Sequence, residues 1–223
     1  DRTFDDAYMQ YNVHTGEDFF PLKSSLQNMD IVVHPTYGFI NNSIHKLPSF
    51  QKSGVGENYS DFTYSQLNQT IGFLESELPC INEAHFTQLE FGLNIETSCP
   101  AEKIIEENVL MHGFKGYSHN MKFNGKGAFL QYDHTEYELK LYDKAKQNEL
   151  NKNLLRLEIR IRTKRVLNSL GVYQLNDLKS VLVLEKLFDH FRKRISQVKI
   201  VDYVSENHNM TTKDYNSFIK FRD

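Results

Sequence analysis

The sequence predicts an α+β fold built on antiparallel sheet, with helices on one face and two similar lobes around a groove. Three observations predict it. Tyr137–Lys164 holds two segments of period-two alternation joined by a polar connection, which reads as an antiparallel hairpin. Gln88–Thr97 alternates in the same way. Helical stripes of period 3.6 fall between such segments rather than strictly alternating with them, which separates this pattern from a βαβ chain.

In order along the chain, residues 1–29 are polar and aromatic with weak periodicity. Asp30–His34 predicts a short strand, and Tyr37–Lys46 a second that closes a hairpin through Pro35 and Thr36. Leu47–Tyr59, carrying Pro48, Gly54 and Gly56, predicts a loop. Thr63–Leu78 predicts a helix with Leu67, Ile71, Leu74 and Leu78 on one stripe. Thr63 and Gln66 have capping-box spacing, and Pro79 stops the helix.

In Gln88–Thr97, Leu89, Phe91, Leu93 and Ile95 point one way, and Glu90, Gly92, Asn94 and Glu96 the other. Gly92 leaves room there for a ligand or another backbone. Pro100 predicts a helix start, running to about Met111. Residues 113–127 predict a loop or ragged hairpin, and Ala128–Tyr132 a strand. In the central hairpin, Leu139, Leu141, Leu155, Leu157, Ile159 and Ile161 make an apolar face. Glu138, Lys140, Tyr142, Arg156, Glu158, Arg160 and Arg162 make the other. A short helix follows to Leu170, ended by Gly171; a long helix spans about Asn176–Gln197, and Ile200–Val204 predicts a last strand.

At 223 residues the chain is long enough for one substantial domain, 1–223, with two sub-lobes divided near 113–127. It opens on Asp1 without methionine and stops in a charged segment, which reads as trimmed termini. The formal net charge of -3 excludes a general polyanion binder, so any nucleic-acid surface must come from local segregation of charge. Residues 140–165 and 192–199 are basic, and 57–107 mostly acidic. Two cysteines, each beside a proline, suit a reduced intracellular protein. No apolar run approaches the ~20 residues of a membrane span.

Motifs for a phosphate-binding glycine loop, a Cys/His zinc site and a serine elbow are absent, and the nine histidines are scattered without HxH spacing. The carboxylates are better placed. Glu90 and Glu158 each stand on the polar side of an otherwise apolar strand. Brought together with the Asn94 amide, they make an oxygen-rich site suited to Mg²⁺ or Mn²⁺. Lys140, Lys144, Arg156, Arg160 and Arg162 around them suit phosphate contacts in DNA and charge stabilisation at a phosphodiester. A salt-bridged strand open to solvent would carry the same pattern. A tyrosine nucleophile would complete a phosphodiester-transfer site, and twelve tyrosines are available.

YELKLYDKAKQ followed by LLRLEIRIR resembles the paired "KxYDK…Q" and "LRxEIR" motifs of phage replication initiation proteins of the filamentous-phage gene II type. These are related to plasmid rolling-circle Rep proteins. SIHKLPSF, GENYSDFTYSQLNQTI and LEFGLNIET precede these motifs in the family's order, and IVDYVSENHNMTTKDYNSFIKFRD follows, so that the likeness covers roughly residues 38–223. The resemblance implies a Rep nickase-like fold. It implies a metal-dependent endonuclease that nicks and rejoins origin DNA through a covalent tyrosine–DNA linkage, starting rolling-circle replication in the cytoplasm of a bacterial host beside its helicase and polymerase. Glu90 and Glu158 take the acidic strand positions, and Lys140, Tyr142 and Lys144 the YDK motif. Tyr203 is the first candidate nucleophile, with Tyr142 and Tyr173 as alternatives. The chain departs from many rolling-circle nickases in lacking a His-hydrophobic-His pair. Carboxylates with a lone histidine such as His45 or His85 would have to replace it; otherwise the protein is a non-catalytic, sequence-specific DNA-binding domain.

Overall fold

The computed structural model describes residues 6–11, 13–122 and 126–201. The class is α+β with antiparallel sheets, and the chain folds into two compact units. One comprises Asp1–His85 with Tyr173–Ser180, the other Phe86–Val172 with Val181–Asp223. Residues 113–127 lie within the second unit. Among the described residues no helix is long and apolar enough to cross a membrane.

The first unit opens with a four-stranded antiparallel sheet, β1 (Asp6–Tyr11), β2 (Asp18–Leu26), β3 (Met29–Val33) and β4 (Gly38–Asn41), in that order. The β2–β3 turn is only Gln27 and Asn28, and Gln27 takes a left-handed φ of 56°. This hairpin lies where the sequence offered only weak periodicity. The β3–β4 hairpin turns at Pro35 and Thr36 as expected, but β4 stops at Asn41, where Asn42 has φ 102°. The breaker-rich stretch after it folds a short helix, α1 (Leu47–Ser53), closed by Gly54 in the left-handed region. Helix α2 (Tyr64–Glu77) begins at Thr63 with both capping-box bonds formed. Its Ile71 and Leu74 are buried, as are Leu47, Leu78, Ile81, Leu175 and Leu178 of the same unit.

In the second unit β5 (Leu89–Glu96) is followed by α3 (Ala101–Lys103), which runs into a π-helical turn (Ile104–Asn108) and then β6 (Val109–His112). The expected helix to Met111 therefore ends at Asn108. Val109–His112 is claimed instead by a two-stranded ladder, with Asn108 bonded in both directions to Val201. The remaining strands are β7 (His119–Lys122), β8 (Ala128–Asp133), β9 (Tyr137–Asp143) and β10 (Leu154–Ile161), with α4 (Lys144–Gln147) in the β9–β10 connection. The five-stranded sheet has the order β5-β10-β9-β8-β7, antiparallel throughout. Helix α5 (Lys164–Ser169) ends at Gly171 with φ 86°.

The expected helix from Asn176 is broken. Leu175–Lys179 forms a 3-10 turn that belongs to the first unit, Ser180 is extended, and α6 runs over Val181–Ile195. Asp177 explains the break by accepting from the N–H groups of Tyr173 and Gln174, while Tyr64 donates to the Lys179 carbonyl. After α6 comes β11 (Val198–Ile200), paired with β6. One face of the five-stranded sheet buries Leu130, Tyr132, Leu139, Leu141, Leu155 and Ile159 in a core with Ala101, Ile105, Val109 and Phe191. The predicted apolar face is buried at Leu139, Leu141, Leu155 and Ile159, whereas Leu93 and Ile95 on the edge strand β5 stay exposed.

Candidate functional site

The opposite face of the same sheet carries the predicted polar residues, and strand register sets them in a grid. Across β5, β10 and β9 the rows are Asn94–Arg156–Tyr142, Gly92–Glu158–Lys140 and Glu90–Arg160–Glu138. The motifs LEFGLNIET, YELKLYDKAKQ and LLRLEIRIR are thus three neighbouring strands with Glu158 in the middle. Period-two alternation places the side chains on one side, and the ladders bring them level.

Gly92 makes this register tight. A Cβ there would stand 2.0 Å from the Leu157 carbonyl oxygen and 2.8 Å from the Glu158 Cα. The room that glycine leaves is taken by the β10 backbone rather than a ligand.

This face is not an open strand surface. Glu158 is 4% exposed and Arg156 8%. Arg156 Nε donates to Glu158 Oε2 at 2.9 Å and its Nη1 to Asn94 Oδ1 at 3.1 Å. Tyr142 OH donates to the same Glu158 oxygen at 3.0 Å. Lys140 Nζ lies 2.6 Å from Glu90 Oε2, 3.8 Å from Glu158 Oε1 and 3.9 Å from Glu138 Oε2. Arg160 also pairs with Glu90, and lies 3.5 Å from Glu138, which Arg162 meets at 3.0 Å. Three carboxylates therefore face four cations, Lys140, Arg156, Arg160 and Arg162, a surplus of one positive charge. Glu138, which the sequence placed on this face without a role, proves to be the third acid. Its position in the alternation was the available signal.

The two central acids titrate apart. Burial raises the Glu158 carboxyl above its usual range, and the hydrogen bond and charge of Glu90 add to that against the opposing pull of Arg156. Burial pushes Glu90 the same way, but hydrogen bonds from Glu158 and Lys140 and the charges of Lys140 and Arg160 outweigh it, holding Glu90 at about 2. Burial and the Glu158 charge push the Tyr142 phenol well above its usual value, so it is a donor to Glu158 and not an activated nucleophile.

Of the other candidates, Lys144 is 3% exposed and donates to Gln147 at 2.9 Å, with its ammonium 5.6 Å from the Tyr142 ring centroid. Arg160 and Arg162 keep 37% and 47% of their side chains exposed and are the members of the set most open to a solution partner. Tyr173 is exposed and belongs to the first unit, as does His45, whose ring stacks on Phe62. His85, likewise in the first unit, makes an isolated bridge to Gln174. Tyr203 lies outside the described residues.

A divalent ion needs several oxygens with open lone pairs. Here Glu90 Oε2 serves Lys140 and Arg160, Glu158 Oε2 serves Arg156 and Tyr142, and Asn94 Oδ1 serves Arg156. Among the described residues no three His, Cys, Asp or Glu side chains are grouped to hold an ion. In this arrangement those oxygens of Glu90, Glu158 and Asn94 are committed to cations and a phenol rather than open to Mg²⁺ or Mn²⁺. Lys140 supplies the positive charge between the carboxylates. Comparison with family models, with curated proteins and with solved structures gives no match.

Proposed function

We propose that the chain is a DNA replication initiator of the rolling-circle kind, which nicks and rejoins origin DNA through a tyrosine–phosphodiester transfer. One observation carries the reading: the three motifs behind the resemblance are adjacent strands whose polar residues meet around Glu158. In the step proposed, the Tyr203 oxygen bonds to phosphorus and the bond to the 3′ oxygen breaks. The phenol proton passes to a carboxylate, and the departing 3′ oxygen takes up a proton from water and is left free for a polymerase. The guanidinium groups of Arg160 and Arg162 offset charge on the phosphate oxygens. The setting is the cytoplasm of a bacterial host, with that host's helicase and polymerase as partners.

The assay is transfer of 3′-labelled, mixed-sequence single-stranded DNA to the protein, read on a denaturing gel. Labelling is expected for the natural chain and absent in Tyr203→Phe. If Tyr203→Phe, Tyr142→Phe, Tyr173→Phe and every other single Tyr→Phe variant all keep the label, the tyrosine step is wrong. Loss of labelling in EDTA would require a rearrangement that frees Glu90 and Glu158 from Lys140, Arg160 and Arg156.

The commitment of Arg156 and Glu158 inside the sheet favours a second reading, a non-catalytic DNA-binding domain. It would use the more exposed Arg160 and Arg162 on the phosphate backbone. Salt-steep DNA binding without label transfer is its expected signature.

A further inference from the structure

A second polar cluster lies at the C-terminal end of α6, apart from the grid. His112, 2% exposed at the end of β6, faces His134 of the β8–β9 turn, with Nδ1 2.9 Å from His134 Nε2. On its other side His112 Nε2 is 2.9 Å from the carbonyl oxygen of Arg194 in the last turn of α6. That carbonyl only accepts, so Nε2 of His112 carries the hydrogen. Neutral His112 then has a bare Nδ1, which accepts from the Nε2–H of His134. The tautomers of both rings follow from one carbonyl.

We propose that the His112–His134 pair is a proton-sensitive latch that fastens β6, and with it the end of α6 and the β11 strand, to the β8–β9 turn. The pair keeps both hydrogen bonds with no added proton, or with one on His134 Nδ1. A second proton has only His112 Nδ1 to occupy. It would set two N–H groups nose to nose and two imidazolium ions beside Arg194.

Lys115 follows β6 and donates to the Asp133 carbonyl; α6 brings His190, Lys193 and Arg194. Tyr132 and Tyr137 supply rings, with His134 stacked on Tyr137 at 4.4 Å and the Arg194 guanidinium 4.7 Å from the Tyr137 centroid. Among the described residues, the acids that act on the cluster are Asp133, which accepts from Gln131, and Glu136, which pairs with Arg165. The surroundings thus oppose added positive charge. In keeping with that, burial first, and then the neighbouring cations, lower the pKa of His134 and His190; burial and the Arg194 charge lower that of His112 against its bond to the Arg194 carbonyl.

The latch holds a defined piece of chain. Gly113 N–H donates to the Gln197 carbonyl at 2.7 Å, Val198 pairs with His112, and Val201 N–H donates to Asn108 at 2.8 Å. Tyr203 is the second residue after Val201 in the sequence. A role in timing a tyrosine rests on the proposed function; the latch itself does not.

Histidines whose folded pKa lies below the usual 6.5 contribute stability that is complete above 6.5, and it is lost as pH falls through their folded values. The test is amide hydrogen exchange on the full chain at pH 7.5 and 5.5, corrected for intrinsic exchange and without DNA. Protection at Gly113 and Val201 is expected to drop on acidification, by up to ~tenfold per pH unit for each proton taken up. Amides of the β9–β10 ladder are expected to hold steady. His134→Phe removes the ring nitrogen that faces His112 Nδ1 and is expected to flatten the dependence; His112→Gln is the second variant. Unchanged protection at Gly113 and Val201 across the two pH values overturns the latch, as does full pH dependence in His134→Phe. Failure of DNA labelling bears only on the proposed function.

Discussion

Replacing Lys140 by methionine tests the centre most directly. The substitution keeps the length of the side chain and removes only the ammonium that sits between Glu90, Glu138 and Glu158. Removing one partner of a buried pair costs about 3–5 kcal/mol, because the remaining charge stays buried without compensation. Lys140 is 12% and Glu158 6% exposed, but the nearest partner, Glu90, is 34% exposed, so solvent screens part of the loss. We expect a cost of about 2–3 kcal/mol, which for a chain of this size is roughly 4–12 °C in Tm. The assay is urea unfolding followed by circular dichroism at pH 7, with Lys140→Met, Glu90→Gln and the double variant completing a cycle. The double variant is expected to cost clearly less than the sum of the singles, since the second substitution removes the charge that the first stranded. A Lys140→Met chain within about 0.5 kcal/mol of the natural one would refute the reasoning. The ammonium would then be an ordinary surface charge and the centre not a coupled network.

Two glycine substitutions are expected to move stability in opposite directions. Gly92→Ala forces a Cβ into the Leu157 carbonyl, so β10 must shift, at a cost of about 1–3 kcal/mol in the same urea assay. Gly72, inside α2 with nothing within 4 Å of its added Cβ, is expected to gain about 0.5–1 kcal/mol on going to alanine. The acids give a two-signed pH profile. Because Glu90 is held at about 2, its stabilisation is complete above 4.5 and lost as pH falls through 2; Glu158, held above 4.5, keeps a proton that the unfolded chain has released, so stability falls as pH rises from 4.5 through its folded value. Glu158→Gln is expected to abolish the second slope, and a slope that survives in that variant would place its source elsewhere.

The central hairpin was legible because alternation over seven or eight residues leaves a strand little choice of face. Leu139, Leu141, Leu155 and Ile159 could be buried together in only one way. The capping box at Thr63 was legible for a similarly local reason: its two bonds close within four residues. The β2–β3 hairpin was not, since its two-residue turn is Gln27–Asn28, without the glycine that usually marks such a turn. Nor was the break before α6, where helical periodicity continues through Leu178 but Asp177, Tyr64 and Glu75 hold the segment in the other unit.

The sequence by itself determined which residues share the polar face, because side-chain direction in a strand depends only on parity. It also determined Gly92 as a point of close approach, though not that the approaching group would be the backbone of Leu157 and Glu158. Only the tertiary structure decided what the polar residues do to one another. Whether Glu158 meets a metal, a solvent-exposed phosphate or an arginine depends on register between residues up to 72 apart, as Ile161 is from Leu89, on burial, and on how many cations arrive for each acid. None of these is written in a single segment. The same reason hid the His112–His134 pair: 22 residues separate the two rings, and a turn, a strand end and the last carbonyls of α6 must all be in place before one nitrogen faces the other.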